Sequence, residues 1–320
     1  MSLQVENLTI VYQTLHGDVH ALENATFSLA DGEIMGLAGE SGCGKSTLCN
    51  SLILLVPPMR YVGGKVLLDG ECLPLEDQKA MDAFRFRKIS SIPQYAMNAM
   101  NPTRKIGLMI RELLQSRKVD ADALMPELKR RLDLVELTQD VLDMYPFELS
   151  GGMKQRMVMV LSTLLNPSLL IADEVTSALD VSTQRAVANM LVEFRNREIV
   201  RGLIVISHDM SILYQITDSI LIMYAGQLAE KASTDVIIKS PRHPYTRQLI
   251  SSLPKVGVKY SEGRLKGIPG TPPLLLHPPQ GCRFRERCPV AFEKCLQVPP
   301  FIEVEPGHSV ACWRETADGA

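Results

Sequence analysis

Nine consecutive residues, Gly39-Glu40-Ser41-Gly42-Cys43-Gly44-Lys45-Ser46-Thr47, combine glycines, one lysine and two hydroxyls at a spacing suited to polyphosphate. The pattern is a glycine, four residues, then Gly-Lys-Ser/Thr. Its glycines let the backbone turn so that N–H groups face phosphate oxygens, and a helix starting there adds a favourable dipole. Lys45 is placed to reach the β- and γ-phosphates and Ser46 to hold Mg²⁺. Further along, the apolar run Leu169-Leu170-Ile171-Ala172 ends in Asp173-Glu174. Acids at the carboxyl end of a strand project where an open parallel sheet binds its ligands. There Asp173 can join the Mg²⁺ shell, and Glu174 can polarise an attacking water as general base. The two motifs together point to a nucleoside-triphosphate hydrolysing site.

The elements that must position these residues follow from periodicity. Leu3–Tyr12 alternates as a strand, Ala25–Leu29 offers a second, and Glu33–Ala38 is an apolar run ending in the glycine loop. Ser46–Val56 has the apolar spacing of a helix, and Gly64–Asp69 and Lys88–Ile92 read as strands. From Thr103 to Leu142 helical periodicity takes over, as in a helical insertion. Helix and strand then alternate through Met153–Leu165, Ser168–Ala172, Thr183–Arg197 and Gly202–Ile206, which implies crossover units on a mostly parallel sheet. Beyond Ser251 prolines crowd the chain and periodicity fades. The expected fold is α/β: a P-loop NTPase core with a mostly parallel sheet, an antiparallel β subdomain, a helical insertion, and a small proline-rich, cysteine-containing C-terminal extension. The expected division is a nucleotide-binding domain over 1–250, with a helical subdomain at about 95–160, and the extension over 251–320.

Composition narrows the function. With 34 basic and 36 acidic side chains the formal charge is −2, which argues against a broad electrostatic grip on nucleic acid. No apolar run approaches the roughly 20 residues that span a bilayer. The first residues, MSLQVENLTIVY, lack the basic and apolar blocks of a secretory leader. The expectation is a cytosolic protein whose membrane role, if any, passes through a partner.

Further motifs, in order along the chain, make it resemble the ATP-binding subunit of an ABC transporter. Leu149-Ser150-Gly151-Gly152-Met153-Lys154-Gln155-Arg156 resembles the family signature, Gln94 the Q-loop glutamine, Ser177-Ala178-Leu179-Asp180 the D-loop, and His208 the switch histidine. Tyr12 sits where the family stacks an aromatic on adenine. The stretches Ser240–Arg247, Ile268–Pro273 and Gly281–Pro289 resemble the markers of the oligopeptide/dipeptide/nickel importers, with Met153 matching the D-type ATPase of that group. Val175 departs from the family, which has proline after the paired acids.

The resemblance implies that ATP is held by Tyr12 and residues 39–47, with Mg²⁺ held by Ser46, Gln94 and Asp173. It also implies catalysis by Glu174, His208 and Gln94, and contacts from Ser150, Gly151, Gly152 and Asp180 to the nucleotide of an opposed subunit. Two such chains would pack head to tail, preferably as a heterodimer with a homologous ATPase. Such a pair would sit at the cytoplasmic membrane face, on two transmembrane permease subunits. An extracytoplasmic solute-binding protein would be an indirect partner, and nucleic acid would not be one. Residues 95–102 would pass motion to the permease. The cargo is a solute, most commonly a di- or oligopeptide; nickel chelates, opines and oligosaccharides are the alternatives. Among competing classes, a soluble ABC ATPase of nucleic-acid repair or translation lacks its usual coiled coils or paired cassettes here. A non-hydrolysing module is opposed by Lys45, Glu174 and His208.

Cys282, Cys288, Cys295 and Cys312, with 5, 6 and 16 residues between them, admit zinc or a [4Fe–4S] cluster, and spacing does not choose. Disulfides are disfavoured in a cytosolic protein. The resemblance to dipeptide-type subunits tips the expectation toward iron–sulfur, as a staple for an extension too poor in apolar periodicity to build a core. Cys43 is read as a tolerated small residue, and Cys49 and Cys72 as core or near-core fillers. Arg283, Arg285 and Arg287 are read as a solvated loop face, with packing against the partner ATPase as the alternative.

Overall fold

Short runs in which every residue is apolar must be covered on both faces, and these runs make the central sheet. The computed structural model describes residues 3–94, 100–177, 179–253 and 267–316. It begins with β1 (Leu3–Thr14), β2 (Gly17–Leu29), β3 (Ile34–Ala38) and α1 (Lys45–Ser51). Then come β4 (Met59–Leu68), β5 (Glu71–Cys72), α2 (Gln78–Met81), β6 (Ile89–Ile92), α3 (Ile106–Ser116) and α4 (Ala121–Leu134). Helix and strand alternate in α5 (Gly151–Thr163), β7 (Leu169–Asp173), α6 (Val181–Asn196), β8 (Gly202–Ile206), α7 (Met210–Ile216) and β9 (Ser219–Tyr224). After β10 (Gln227–Ser233), α8 (Thr234–Lys239) and α9 (Pro244–Ser251), the extension adds β11 (Ile302–Glu305) and β12 (His308–Val310).

Two sheets result. The smaller is antiparallel, in the order β2-β1-β4-β5. The larger runs β11-β12-β10-β9-β3-β8-β7-β6, with β9, β3, β8, β7 and β6 parallel and β10, β12 and β11 added antiparallel. Period-two alternation sorts the side chains of its parallel strands. Met35, Leu37, Ile171, Ile204 and Ile206 point toward the antiparallel sheet and α1, while Ile34, Leu170, Ala172, Leu203 and Val205 point toward the helices. The second layer includes Met157 on α5, Val187 on α6 and Leu213 on α7. Burying both faces fixes register, because a one-residue slip would exchange the two layers.

Two expectations need correction, and the extension adds strands that its fading periodicity did not announce. The helix expected over Ser46–Val56 closes at Ser51, and the chain leaves it through a turn in which the Asn50 carbonyl accepts the N–H groups of Ile53 and Leu54, ahead of Pro57 and Pro58. Leu54 and Val56 are accordingly exposed rather than part of an apolar face. The extension does form strands: β11 pairs with β12, and β12 pairs with β10 through Glu230↔Val310 and Lys231↔Ser309. Cys72 is exposed on the edge strand β5, not a core filler, whereas Cys49 is buried.

Candidate active site

The order β3-β8-β7-β6 sets four carboxyl ends side by side, and each delivers a chemical group. From β3 comes the glycine loop. Gly39 has φ +147° and Gly44 φ +107°, and a Cβ there would lie 2.2 Å from the Met223 carbonyl oxygen and 2.3 Å from that of Ala21. Only glycine fits so close a backbone approach. At the start of α1, Lys45 is buried, and its Nζ donates to the carbonyls of Gly39 at 2.8 Å and Glu40 at 3.0 Å. A cavity of about 530 Å³ opens above the loop. Its walls include Tyr12, Ser41, Gly42, Lys45, Ser46, Thr47, Gln94, Glu174 and His208. Tyr12 and Thr47 share a hydroxyl hydrogen bond of 3.1 Å.

The end of β7 carries the acids. Asp173 is buried, takes a hydrogen bond from Ser46, and keeps Oδ1 without a partner. Burial raises its pKa, and the neighbouring Glu174 charge raises it further; Ser46 and Lys45 act in the opposite direction. An orphaned, desolvated carboxylate oxygen beside a hydroxyl is a suitable seat for a hard cation, so Asp173 and Ser46 fit Mg²⁺. Glu174 adopts φ +47°, a left-handed backbone that costs energy for a residue with a Cβ and recurs at functional sites. This turn carries the Glu174 carboxylate beyond the strand end. Its Oε2 accepts from Gln94 Nε2 at 2.9 Å, and its Oε1 lies 3.7 Å from Nδ1 of the exposed His208, just past β8.

Other expected residues lie elsewhere. Ser150 caps α5, accepting from the Met153 N–H at 3.3 Å, and with Gly151 it is exposed. Asp180 caps α6, accepting from the hydroxyl and N–H groups of Ser182 and Thr183; the two hydroxyl bonds foremost, then the backbone ones, hold its carboxyl below the usual range. These two helix starts adjoin: a Cβ on Gly152 would stand 3.7 Å from Thr183 Cγ2. Ser150, Gly151, Gly152 and Asp180 do not line their own chain's cavity. Cys43 is buried, with its thiol pKa pushed up by desolvation, and Glu40 points its carboxylate away from the cavity. Residues 95–99 and Ala178 fall outside the described residues.

The extension departs most from expectation. Arg283 and Arg287 are not a solvated face. Arg283 is buried and donates to the Ala225 carbonyl and the Glu23 carboxylate, while Arg287 reaches Glu40 of the glycine loop. The Arg285 side chain is the most open of the three, 28% exposed against 5% for Arg287. Tyr245, fully buried against Tyr224 and Phe284, accepts the Glu40 N–H at 2.8 Å. Neither Tyr245 nor Arg287 was legible as a site residue from motif spacing, because their partner lies more than 200 positions away.

Cys282, Cys288, Cys295 and Cys312 line one cavity of about 10 Å³. Burial, followed by the other cysteines, pushes the Cys282 thiol up to about 11. Among the described residues no group of three or more His, Cys, Asp or Glu is arranged to hold a metal ion. The expected ligand set thus converges without forming a coordination shell. Among the described residues no helix is long and apolar enough to cross a membrane.

Comparison with known proteins agrees with the geometry. The model of the ABC transporter family matches residues 22–177, and that of the oligopeptide/dipeptide transporter C-terminal region matches 229–295. The dipeptide transport ATP-binding protein DppD of Caldanaerobacter subterraneus is 36% identical, covering 97% of this chain and 96% of its own. The oligopeptide transport ATP-binding protein OppD of Escherichia coli is 38% identical, covering 98% of this chain and 93% of its own. Among solved structures, a dimeric bacterial ABC transporter cassette superposes with a TM-score of 0.63 at 22% identity, covering 72% of this chain and 98% of that one. That last likeness speaks to the fold.

Proposed function

Since the chain belongs to the ATP-binding subunits of ABC transporters, in the branch of the dipeptide and oligopeptide proteins, we propose that its ATP hydrolysis powers import of a di- or oligopeptide. The protein is an ABC ATPase; the cargo, the partners and the residue roles are what is proposed. The observation that carries the reading is the convergence of Lys45, Ser46, Gln94, Glu174 and His208 on one cavity, with Asp173 adjoining.

In this reading the loop N–H groups and Lys45 bind the β- and γ-phosphates, for which Lys45 leaves the carbonyls it now holds. Tyr12 stacks on the adenine. Glu174, oriented by Gln94, takes the proton of the attacking water, and His208 steadies the γ-phosphate. Mg²⁺, held by Ser46, Asp173 and Gln94, would neutralise charge on the transferred group. Residues 1–250 are the nucleotide-binding domain, and 251–320 the extension.

The exposed position of Ser150, Gly151 and Asp180 supports a head-to-tail pair, preferably with a homologous ATPase, in which these groups meet the partner's nucleotide. Exposed Phe147 and Val181 beside them supply apolar surface for such contact. The assembly would sit on two permease subunits at the cytoplasmic face, served by an extracytoplasmic solute-binding protein. ATPase rates measured with and without the second ATPase test the pairing. Ser150→Arg should cut turnover at the opposed site and leave nucleotide binding by this chain intact. Turnover independent of concentration in a strictly monomeric sample would end the proposal.

For the extension we propose a structural thiolate site, a [4Fe–4S] cluster in preference to zinc. The gathering of four cysteines at one cavity supports it, and the lack of a ligating array among the described residues opposes it. Anaerobic purification followed by iron, sulfide and zinc analysis decides between them. A folded, active and metal-free protein would remove both.

A further inference from the structure

Glu40, second residue of the glycine loop, is held at three points by three parts of the chain. Its carbonyl accepts from Lys45 Nζ at 3.0 Å, its N–H donates to Tyr245 Oη at 2.8 Å, and its carboxylate accepts a fork from Arg287. The fork has Nη1 to Oε2 at 2.6 Å and Nη2 to Oε1 at 2.9 Å, the planar two-point geometry that guanidinium makes with carboxylate. The Arg287 side chain is only 5% exposed. Its remaining donors are also engaged: Nε with the Pro269 carbonyl at 2.8 Å, Nη2 with that of Ile268 at 3.3 Å, and Nη1 with Tyr224 Oη at 3.1 Å. The guanidinium therefore has a single orientation available. At the other end of the cavity, Leu275 forms part of the wall near Tyr12 and Val19, its own carbonyl fixed by the His20 N–H at 2.8 Å.

We infer that the C-terminal extension is a working part of this chain's own nucleotide site. Arg287 is a positioning residue that acts through Glu40 to keep the glycine loop in its phosphate-accepting shape, and Leu275 supplies apolar wall to the nucleoside. The inference rests on the reading of this cavity as the ATP site. Its physical basis is the fate of Lys45. To reach a phosphate, Lys45 must release the carbonyls of Gly39 and Glu40, which removes one of the tethers on the loop. The Arg287 fork does not depend on Lys45, so it holds the loop while the ammonium changes partner. It also neutralises the Glu40 carboxylate, which faces away from the cavity but would otherwise leave an unpaired negative charge on the loop that receives phosphate.

Equilibrium titration of the full chain with a fluorescent ATP analogue and with inorganic tripolyphosphate, together with thermal midpoints without ligand, tests this. Arg287→Ala should weaken both ligands by about tenfold, a coupling typical of groups in one network. Arg287→Lys, which keeps charge and loses the fork, should fall between. Glu40→Gln in the Arg287→Ala background should recover part of the loss, because the unpaired charge is gone. Leu275→Ala should weaken the nucleotide and spare tripolyphosphate. If Arg287→Ala does not fold, Arg287→Lys and Glu40→Gln alone carry the test through loosened tripolyphosphate binding. Affinities within about twofold of wild type for the folded Arg287 and Glu40 variants would overturn the positioning role, and an unchanged nucleotide-to-tripolyphosphate ratio in Leu275→Ala would overturn the wall. Lys45→Ala is the control: if it leaves binding intact, the ATP-site reading fails instead.

Discussion

Glu174→Gln exchanges one carboxylate oxygen for an amide nitrogen at the end of β7 and should separate binding from chemistry. The glutamine is isosteric, and its carbonyl can still accept from Gln94 Nε2, now at 2.9 Å, so the cavity keeps its shape. What disappears is basicity. A positioned general base contributes about 10²- to 10⁴-fold, so turnover at saturating ATP should drop by that factor, equivalent to roughly 3–5 kcal/mol in the barrier. Binding should move the other way. The Asp173 carboxyl is raised first by burial and then by the Glu174 charge, and the amide removes that second cause. Asp173 then remains ionised to lower pH, so Mg²⁺-dependent ATP binding should persist further into the acid range than in the wild type. Phosphate release by the assembled transporter measures the first effect, and fluorescent-nucleotide titration across pH measures the second. Turnover within about tenfold of wild type would refute the base assignment. Loss of binding together with turnover would refute the claim that Glu174 acts on water and not on nucleotide.

Tyr245→Phe deletes the one oxygen that accepts the Glu40 N–H and keeps the ring cluster with Tyr224 and Phe284. An unsatisfied N–H in a site this enclosed should cost about 1–3 kcal/mol, read as a lower urea midpoint at constant slope. Arg131, buried on α4, donates to Glu127 at 2.7 Å, to the Thr163 carbonyl at 3.1 Å, and to Asn166. Arg131→Met should lose about 3 kcal/mol in chemical denaturation, while nucleotide affinity per folded molecule stays unchanged. Gly44→Ala places a methyl against the Ala21 carbonyl at a positive φ and should abolish ATP binding, with a loss of about 1–3 kcal/mol in stability. Retained binding in that variant would show that the loop backbone can give way.

The legible parts of this chain are the local ones. A phosphate loop spends its chemistry within nine residues, and an apolar run ending in two acids announces both a central strand and its functional end. Buried runs such as Gly202–Ile206 name their place in the sheet because nothing but double coverage suits them. The short strand β11, Ile302–Glu305, has intermediate and exposed positions in alternation, so its pattern is too weak to stand out among prolines. Distance along the chain hid more. Arg287 looks like any loop arginine until the fold places it against Glu40. Tyr245 lies in a stretch matched by family resemblance, yet the hydroxyl's role came only from the packing of α9 against the loop. The α1 helix shows the converse: its apolar spacing continues past Ser51, yet a turn closed on the Asn50 carbonyl ends it there.

Strand β12 lies between β11 and β10, and this seam governs how the molecule can be dissected. Glu230 on β10 is fully buried, accepting from the N–H groups of Arg242 and His243 and bonded to His308 of β12 at 2.8 Å. Cutting the chain before residue 300 would turn β10 into a bare sheet margin and leave a sealed carboxylate facing solvent or a void. Point substitutions are therefore the sound instrument for dissecting this region, since a shortened chain would report a damaged scaffold before it reported anything about nucleotide.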